Sequence, residues 1–378
     1  MYENHGQFAG KVDGLFFPAV HYKMATRGVK YIGSKASLTS NIIDFVKEHH
    51  QGTGKFLDVF TGTTRVAQAF RSGGWNVVSS DLSWASETYA HAFLIRTAES
   101  GARIPALIEQ LRALAPTPGW ITRTYCDVVA AEGGIVKMWT PANGALADAM
   151  RDKIAAWESS NHINHHEAMI LTACLIFALD RVDSSVGVQQ AYLKEWAARA
   201  KNPIELTDLP FAEGPSGSHH VGDALRILYG ECDVAYVDPP YSAHSYATYY
   251  HIWDSITRWD KPAVGLKTNR RVDRVSGDGF DGAMTSPWNS KKKALQAFLD
   301  LVERLPAKAV VISYSDESLV PLPALEAALR ARYTVHKKVI PYKRNIMSQI
   351  GNAEAAIAAG AEAKTDNNEI LFWVVTGK

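Results

Sequence analysis

Residues 55–60 (KFLDVF) are a short apolar run ending in a Thr/Gly turn, and apolar positions then recur at helical spacing over residues 66–70 (VAQAF) until Gly73 and Gly74 stop them. A strand, a turn and a helix are predicted. After the two glycines, residues 75–79 (WNVVS) read as a second strand closing on Ser80 and Asp81, so residues 55–81 form one β-α-β unit and imply a parallel sheet. From residue 84 to residue 220 the pattern changes to helical segments with polar breaks: residues 104–114, a stretch around Ile154, and the apolar run 169–179, with Pro203 and the glycines of 214–217 near its end. Strand-like runs return at residues 234–237 (VAYV) and 310–314 (VVISY), and residues 333–340 with 370–375 (ILFWVV) look like a closing pair. The sheet is thus interrupted by ~140 residues of mostly helical insertion, longer than any ordinary connection. Ala-rich residues 353–363 read as an exposed helix or loop.

The chain has 378 residues, and its 47% hydrophobic and 21% charged content is that of a globular protein of two domains, or of one large domain with an insertion. With 40 Lys+Arg against 39 Asp+Glu, a strongly basic wrapper of nucleic acid is excluded, although a local basic face is not. Cys126, Cys174 and Cys232 are far apart and form no CxxC pair, so neither a disulfide framework nor a zinc ribbon is indicated and a reducing cytoplasm is expected. The first thirty residues lack the basic start and apolar core of a secretory signal, and the run 169–179 is well short of the ~18 residues of a membrane span. No membrane partner is expected.

The sharpest chemical signal is Asp238-Pro239-Pro240-Tyr241, placed at the carboxyl end of the VAYV strand, where open α/β sheets bind ligands. Residues before proline are held extended, so the Asp238 carboxylate and the Pro239 carbonyl sit at a defined separation and can accept both hydrogens of one amino group. That localises the lone pair of an aromatic amine towards an electrophile, while Tyr241 offers a flat face for a base. A second group runs from Asp58 through Phe60, Thr61, Gly62 and Thr63 to Thr64, with Asp81 at the next strand end. Dinucleotide binding would need GxGxxG so that backbone approaches a pyrophosphate, and only Gly62 is present. S-adenosylmethionine, which has a ribose, an adenine and an amino-acid end but no phosphate, is the better match: Asp81 for the ribose, Asp58 near the ammonium, Asp223 for the adenine amine.

Lys30-Tyr31-Ile32-Gly33-Ser34-Lys35 precedes the β-α-β unit and opens a helix with Leu38, Ile42, Phe45 and Val46 apolar. In this order of segments the chain resembles the alpha-group, Dam-like DNA adenine-N6 methyltransferases: a YxGSK-type segment, an FxGxG-type turn, a long target-recognition insertion, then DPPY. The resemblance covers almost the whole length, including SYSDE after Ile312 and residues 367–373. It implies a class I S-adenosylmethionine-dependent methyltransferase sheet, Rossmann-like α/β, made of residues 1–83 and 221–378, with a mostly helical target-recognition insertion at 84–220. It also implies that Tyr31, Gly33, Ser34 and Lys35 bind cofactor, with Asp58, Phe60 and Gly62 as the cofactor turn, Asp81 as the ribose acid, and Asp238, Pro239 and Tyr241 as the catalytic set, Asp238 being counted among the cofactor contacts as well. Thr64 stands where the second glycine of the turn is usual, so the hydroxyls of Thr61 or Thr63 are candidates for contacts a glycine turn could not make.

The expected reaction is methylation of the N6 amine of adenine in double-stranded DNA, with a cognate restriction endonuclease as a possible partner and no metal. Methylation of RNA or of cytosine N4, or a silent DNA-binding regulator that keeps the fold, are the alternatives. Imidazoles at positions 162–166 (HINHH) lack an HExxH frame and read as a polar helix entry, not a metal site. Cys232 has no paired histidine and reads as a buried strand-edge thiol. Lys267, Arg270, Arg271 and Arg274, in a glycine-containing segment after the catalytic turn, are candidates for gripping a phosphate backbone. Residues 189–194 (QQAYLK), with Lys194, carry polar groups able to reach base edges, although Tyr192 at helical spacing is also a candidate core contact.

Overall fold

The computed structural model describes residues 26–189, 192–193, 195–241, 245–267, 269–274, 286–316, 318–343 and 366–378. The Ala-rich stretch 353–363 lies outside them. In chain order the strands are β1 Lys55–Asp58, β2 Asn76–Asp81, β3 Cys126–Val129, β4 Ile135–Lys137, β5 Ser218–Val221, β6 Cys232–Val237, β7 Ala307–Ser315, β8 Thr334–Lys343 and β9 Asp366–Val375. The helices are α1 Thr39–His49, α2 Arg65–Ser72, α3 Ala85–Ala90 with a π-helical continuation His91–Ile95, α4 Ile104–Arg112, α5 Trp120–Tyr125, α6 Pro141–Ser159, α7 His165–Arg181, α8 Tyr246–Tyr249, α9 His251–Arg258, α10 Ala294–Arg304 and α11 Leu322–Arg330.

Seven strands pair in the order β5-β2-β1-β6-β7-β9-β8. The first five are mutually parallel, and β9 runs antiparallel between β7 and β8, which is the closing pair the sequence predicted. The strands read as continuous apolar runs because both faces are buried. Phe56, Val234, Tyr236, Val311 and Leu371 face α1 and α2, whereas their neighbours Leu57, Ala235, Val237, Ile312 and Phe372 face α10 and α11. From β1 the chain builds outward through β2 to β5 and then crosses to β6 on the other side. The carboxyl ends of β1 and β6 therefore flank the switch point of a doubly wound sheet, where a crevice opens.

The helical insertion packs around α7, which is buried on nearly all sides, together with α4, α6 and the apolar side chains Ile252, Trp253 and Ile256 of α9. It also carries the antiparallel pair β3–β4, which the hydrophobic pattern did not announce. The expected boundary at 220/221 falls inside β5. The helix of residues 85–95 serves both sides, with Ala90 and Leu94 on the sheet and Tyr89 and Phe93 on the insertion. Both ends of the insertion are tied by one fully buried side chain. The Arg71 guanidinium donates to the carbonyls of Phe93 (2.8 Å) and Arg96 (2.6 Å) at the start and of Ala212 (2.5 Å) and Pro215 (3.0 Å) at the end. Burial of the cation is tolerated because carbonyl oxygens replace the lost water. Among the described residues no helix is long and apolar enough to cross a membrane, and the three cysteines are free and buried.

Candidate active site

Four aspartates stand at the carboxyl ends of four adjacent strands: Asp223 after β5, Asp81 on β2, Asp58 on β1 and Asp238 after β6. They line one cavity of about 350 Å³, as do Tyr31, Gly33, Ser34, Lys35, Phe60, Thr61, Gly62, Thr63, Pro239 and Tyr241. Every cofactor and catalytic residue singled out in the sequence thus converges on a single space.

At the β1 end, Asp58 is buried, and its Oδ2 accepts from Thr61 Oγ1 (2.9 Å) and the Ala67 amide (3.2 Å). Its Oδ1 is buried with no partner among the described residues, and the Ser34 hydroxyl and the Trp288 indole N–H are in the same condition. Burial pushes the Asp58 carboxyl up to about 7, against the Thr61 hydrogen bond. Asp81 accepts from the amides of Gly62 (2.8 Å) and Ser83 (2.9 Å), and burial raises it to about 6 despite them. Asp223 accepts from the Leu225 amide at 3.0 Å, with the exposed Arg226 guanidinium 3.7 Å from its other oxygen.

The turn between β1 and α2 is shaped by two left-handed residues. Gly62 has φ +51°, and a Cβ there would stand 3.2 Å from the Tyr31 ring. Thr64, where the family pattern has glycine, also has φ 62° and is wholly buried. Its hydroxyl accepts from Gln68 Nε2 (2.9 Å), which also donates to the Arg27 carbonyl (2.8 Å). A side-chain bond therefore holds a conformation that costs a non-glycine residue about 1–2 kcal/mol.

At the β6 end, Asp238 is enclosed by groups from three segments. Lys35 Nζ lies 2.9 Å from its Oδ2 and 3.5 Å from Glu369 Oε1. The Tyr241 hydroxyl is 2.5 Å from both Asp238 Oδ1 and Glu369 Oε1, and it can donate to only one of them. Burial raises Asp238 to about 6, the Lys35 ammonium opposing and Glu369 reinforcing the shift. Burial alone would lower Lys35, but Asp238 and Glu369 outweigh it and hold it above its ordinary value. Lys35, expected among the cofactor contacts, thus sits at the catalytic end. It also lies 4.6 Å above the Tyr241 ring, the face expected to stack on a base.

Sequence reasoning missed Glu369, the tyrosines of 246–250 and Trp288. Tyr250 stacks on Tyr31 (4.3 Å between centroids, 18° between planes) and accepts from the Ile32 amide at 2.7 Å, while Tyr246 leans on Tyr31 at 5.4 Å. The signal was present in SYATYY, whose aromatics recur at helical spacing just after DPPY. Trp288 packs edge-on against Phe60. Glu369 lies within the segment 367–373 that the resemblance covers, but nothing local singled it out, because its position at the site depends on β9 pairing it with Ser315 of β7.

The expected phosphate and base contacts do not converge in this way. Arg271 is buried, paired with Asp260 (2.6 Å) and Asp273 (2.6 Å), and lies against the Trp84 ring. The expectation that it grips DNA is corrected: its guanidinium is consumed inside the protein. Lys267 is exposed, 4.0 Å from Glu132, and Arg270 is half-buried. Gln189 is buried too, its amide oxygen accepting from the Ile252 amide at 2.8 Å, so it does not face a base. Tyr192 is half-buried and packs against the insertion core. Lys194, Gln190 and Ala191 lie outside the described residues, and so does the Arg274 side chain.

A doubly wound sheet closed by an antiparallel strand pair, with an acidic carboxyl edge and DPPY at its switch point, defines a class I S-adenosylmethionine-dependent methyltransferase fold. Residues 31–304 match the family model of the D12 class N6 adenine-specific DNA methyltransferases, and the chain belongs to that family. It is 27% identical to the modification methylase StsI of Streptococcus sanguinis, over 84% of this chain and 48% of that one. It is 28% identical to the type II methyltransferase M.NlaIII of Neisseria lactamica (77% and 85%) and 25% identical to M.CviAII of Paramecium bursaria Chlorella virus 1 (92% and 98%). The chain spans about half the length of StsI and of the Lactococcus lactis methylase LlaI, and most of the length of M.NlaIII and M.CviAII. Among solved structures, a putative methyltransferase of Bacillus halodurans aligns at a TM-score of 0.33 and 8% identity, over 90% of this chain and 100% of that one, a likeness too loose to bear on the site.

Proposed function

We propose that this chain transfers a methyl group from S-adenosylmethionine to the N6 amine of adenine in double-stranded DNA, as the modification arm of a cytoplasmic restriction–modification system with a cognate endonuclease. The names of its relatives, modification methylases and type II methyltransferases, support that setting. The observation that carries the reaction is that the unpartnered Asp58 oxygen and the Asp238 carboxylate face one cavity from adjacent central strands.

The residues fit the cofactor. Asp58 Oδ1 offers a buried acceptor for an ammonium, Asp81 has lone pairs left for ribose hydroxyls, and Phe60 and Trp288 give an apolar wall beside Asp223. When bound, S-adenosylmethionine supplies an electrophilic methyl group on a sulfonium. The chain's own work is done at Asp238. Lys35 favours the ionised carboxylate, which with the Pro239 carbonyl accepts the hydrogens of an adenine amine turned out of the duplex. Those bonds strengthen as the nitrogen becomes tetrahedral and its hydrogens more acidic, so they favour the transition state over the ground state. The proton lost on methylation passes to the Asp238 carboxylate, whose raised pKa suits it to hold and release one. Tyr246, packed against the stacked Tyr31–Tyr250 pair, borders the cavity and offers a face for the extruded base.

Incubation of the full chain with duplex DNA and methyl-labelled S-adenosylmethionine, followed by digestion to nucleosides, tests the reading. Label in N6-methyladenine is expected. Label in N4-methylcytosine, or in RNA alone, overturns the substrate assignment, and cofactor binding without transfer to any nucleic acid makes the chain a silent regulator.

A further inference from the structure

Away from the cavity, the junction between the sheet and the insertion gathers an unusual set of donors. Glu87 on α3 and His91, one turn later at the start of the π-helical stretch, face His165, the first residue of α7. One ligand atom from each of the three lies within 4.8 Å of the others. Glu87 Oε1 and His165 Nε2 are 3.7 Å apart, near the ~3.4 Å edge of a tetrahedron with ~2.1 Å metal–ligand bonds.

An independent observation points the same way. In both imidazoles the other ring nitrogen is already committed. His165 Nδ1 lies 2.8 Å from Glu158 Oε1, and His91 Nδ1 lies 2.7 Å from His166 Nδ1, whose Nε2 is 3.0 Å from the Ser100 hydroxyl. Metal-binding histidines are held in this way, one nitrogen anchored to a carboxylate or another acceptor so that the second presents its lone pair. The π-helical widening begins at His91, and such widenings are frequent at functional positions.

We propose that Glu87, His91 and His165 bind one divalent ion of the zinc class, with Glu158 and His166 orienting the two imidazoles and water completing the coordination. Two imidazoles and one carboxylate favour zinc over magnesium or calcium, which prefer all-oxygen shells. Glu87 and His91 belong to the helix that follows β2, whereas His165 begins the central helix of the insertion, so the ion acts as a clamp between them. None of the three lines the cavity, and the clamp is separate from the methyl-transfer reading. The histidines of 162–166 were visible in the sequence, but their metal-binding partners stand some 75 residues earlier.

Chelator-treated full chain titrated with zinc chloride against a chromophoric competitor should bind one equivalent, and cobalt(II) should give the visible absorption of a tetrahedral site. His165→Ala changes an exposed side chain and should fold; it should remove binding and the cobalt spectrum. Glu158→Gln should weaken zinc binding roughly 10–100-fold. Zinc should raise the unfolding temperature of the parent but not of His165→Ala. Absence of binding by the parent reduces the cluster to an imidazole–carboxylate network and overturns the proposal, and so does stoichiometric binding that survives in His165→Ala.

Discussion

The acidic edge of the sheet and the cationic segment behind it were both picked out of the sequence as functional, and the structure treats them differently. Asp58, Asp81 and Asp238 end consecutive strands of the sheet, so strand order and register alone bring them to one cavity. Lys267 and Arg271 share a short segment, yet one points into solvent and the other is sealed between two aspartates and a tryptophan. A side chain tied to the end of a buried strand has its direction fixed by the backbone. A cation in a connecting segment has its direction fixed by whatever acids lie nearby, which no local pattern reveals.

The largest expected effect lies on the acidic edge. Asp238→Asn should lower single-turnover methylation by on the order of 10²-fold or more, since it removes a charged acceptor acting on the transition state. Cofactor affinity, read by calorimetry, should hardly change. Near-parental turnover would remove Asp238 from the chemistry and with it the contrast between the two regions.

The same edge should respond to pH in two separable ways. Asp58 and Asp238 are both raised, to about 7 and about 6, so each loses its charge on the acid side well above the ordinary carboxylate range. Cofactor affinity should weaken as pH falls below about 7, because a protonated Asp58 cannot hold an ammonium. The rate constant at saturating cofactor should fall only below about 6, as Asp238 protonates. Asp58→Asn should weaken affinity at pH 8 and flatten its pH dependence; an unchanged slope would show that Asp58 does not meet the cofactor's charge.

In the cationic segment the two residues should separate by assay. Arg271→Ala removes a buried guanidinium that bridges Asp260 and Asp273 and should cost about 2–3 kcal/mol in chemical denaturation, below the full value for a buried pair because both acids are partly exposed. Lys267→Ala should leave stability within about 0.5 kcal/mol and reduce the salt dependence of DNA binding by about 0.9 in slope if it meets one phosphate. Equal stability losses in the two variants would erase the distinction between inward and outward cations.

What could be read from the sequence follows from the same physics. The β-α-β unit, the VAYV and VVISY strands and the closing pair were legible because strands buried on both faces are continuous apolar runs bounded by turns. The pair β3–β4 was not, since its strands span four and three residues and place Val129 and Ile135 in solvent. Asp58, Asp81, Asp223 and Asp238 were legible as candidates because they stand at strand ends, whereas Tyr31, Gly33, Ser34 and Lys35, ahead of the first strand, were singled out by the resemblance. Glu369 was not, because it reaches Lys35 and Tyr241 only through the register of β9 on β7.

A small effect is also expected at the one place where the acidic edge departs from the family pattern. Thr64 holds φ 62°, and replacing it with glycine relieves about 1–2 kcal/mol of backbone strain. Against that stand the loss of two buried carbons, Cβ and its methyl, about 1.6 kcal/mol, and of the hydroxyl that accepts from Gln68. The hydroxyl's loss leaves no donor stranded, because Gln68 Nε2 still donates to the Arg27 carbonyl at 2.8 Å. Thr64→Gly should therefore unfold within about 1 kcal/mol of the parent, the opposing terms being of similar size. Gln68→Ala should cost more, since Gln68 both donates to the Arg27 carbonyl and accepts from the Arg27 amide at 2.9 Å, anchoring the segment that leads to Tyr31 and Lys35. A loss above about 2 kcal/mol in Thr64→Gly would mean that the threonine's contacts exceed the strain of its backbone, so that this turn is built around its hydroxyl and not around the glycine geometry it imitates.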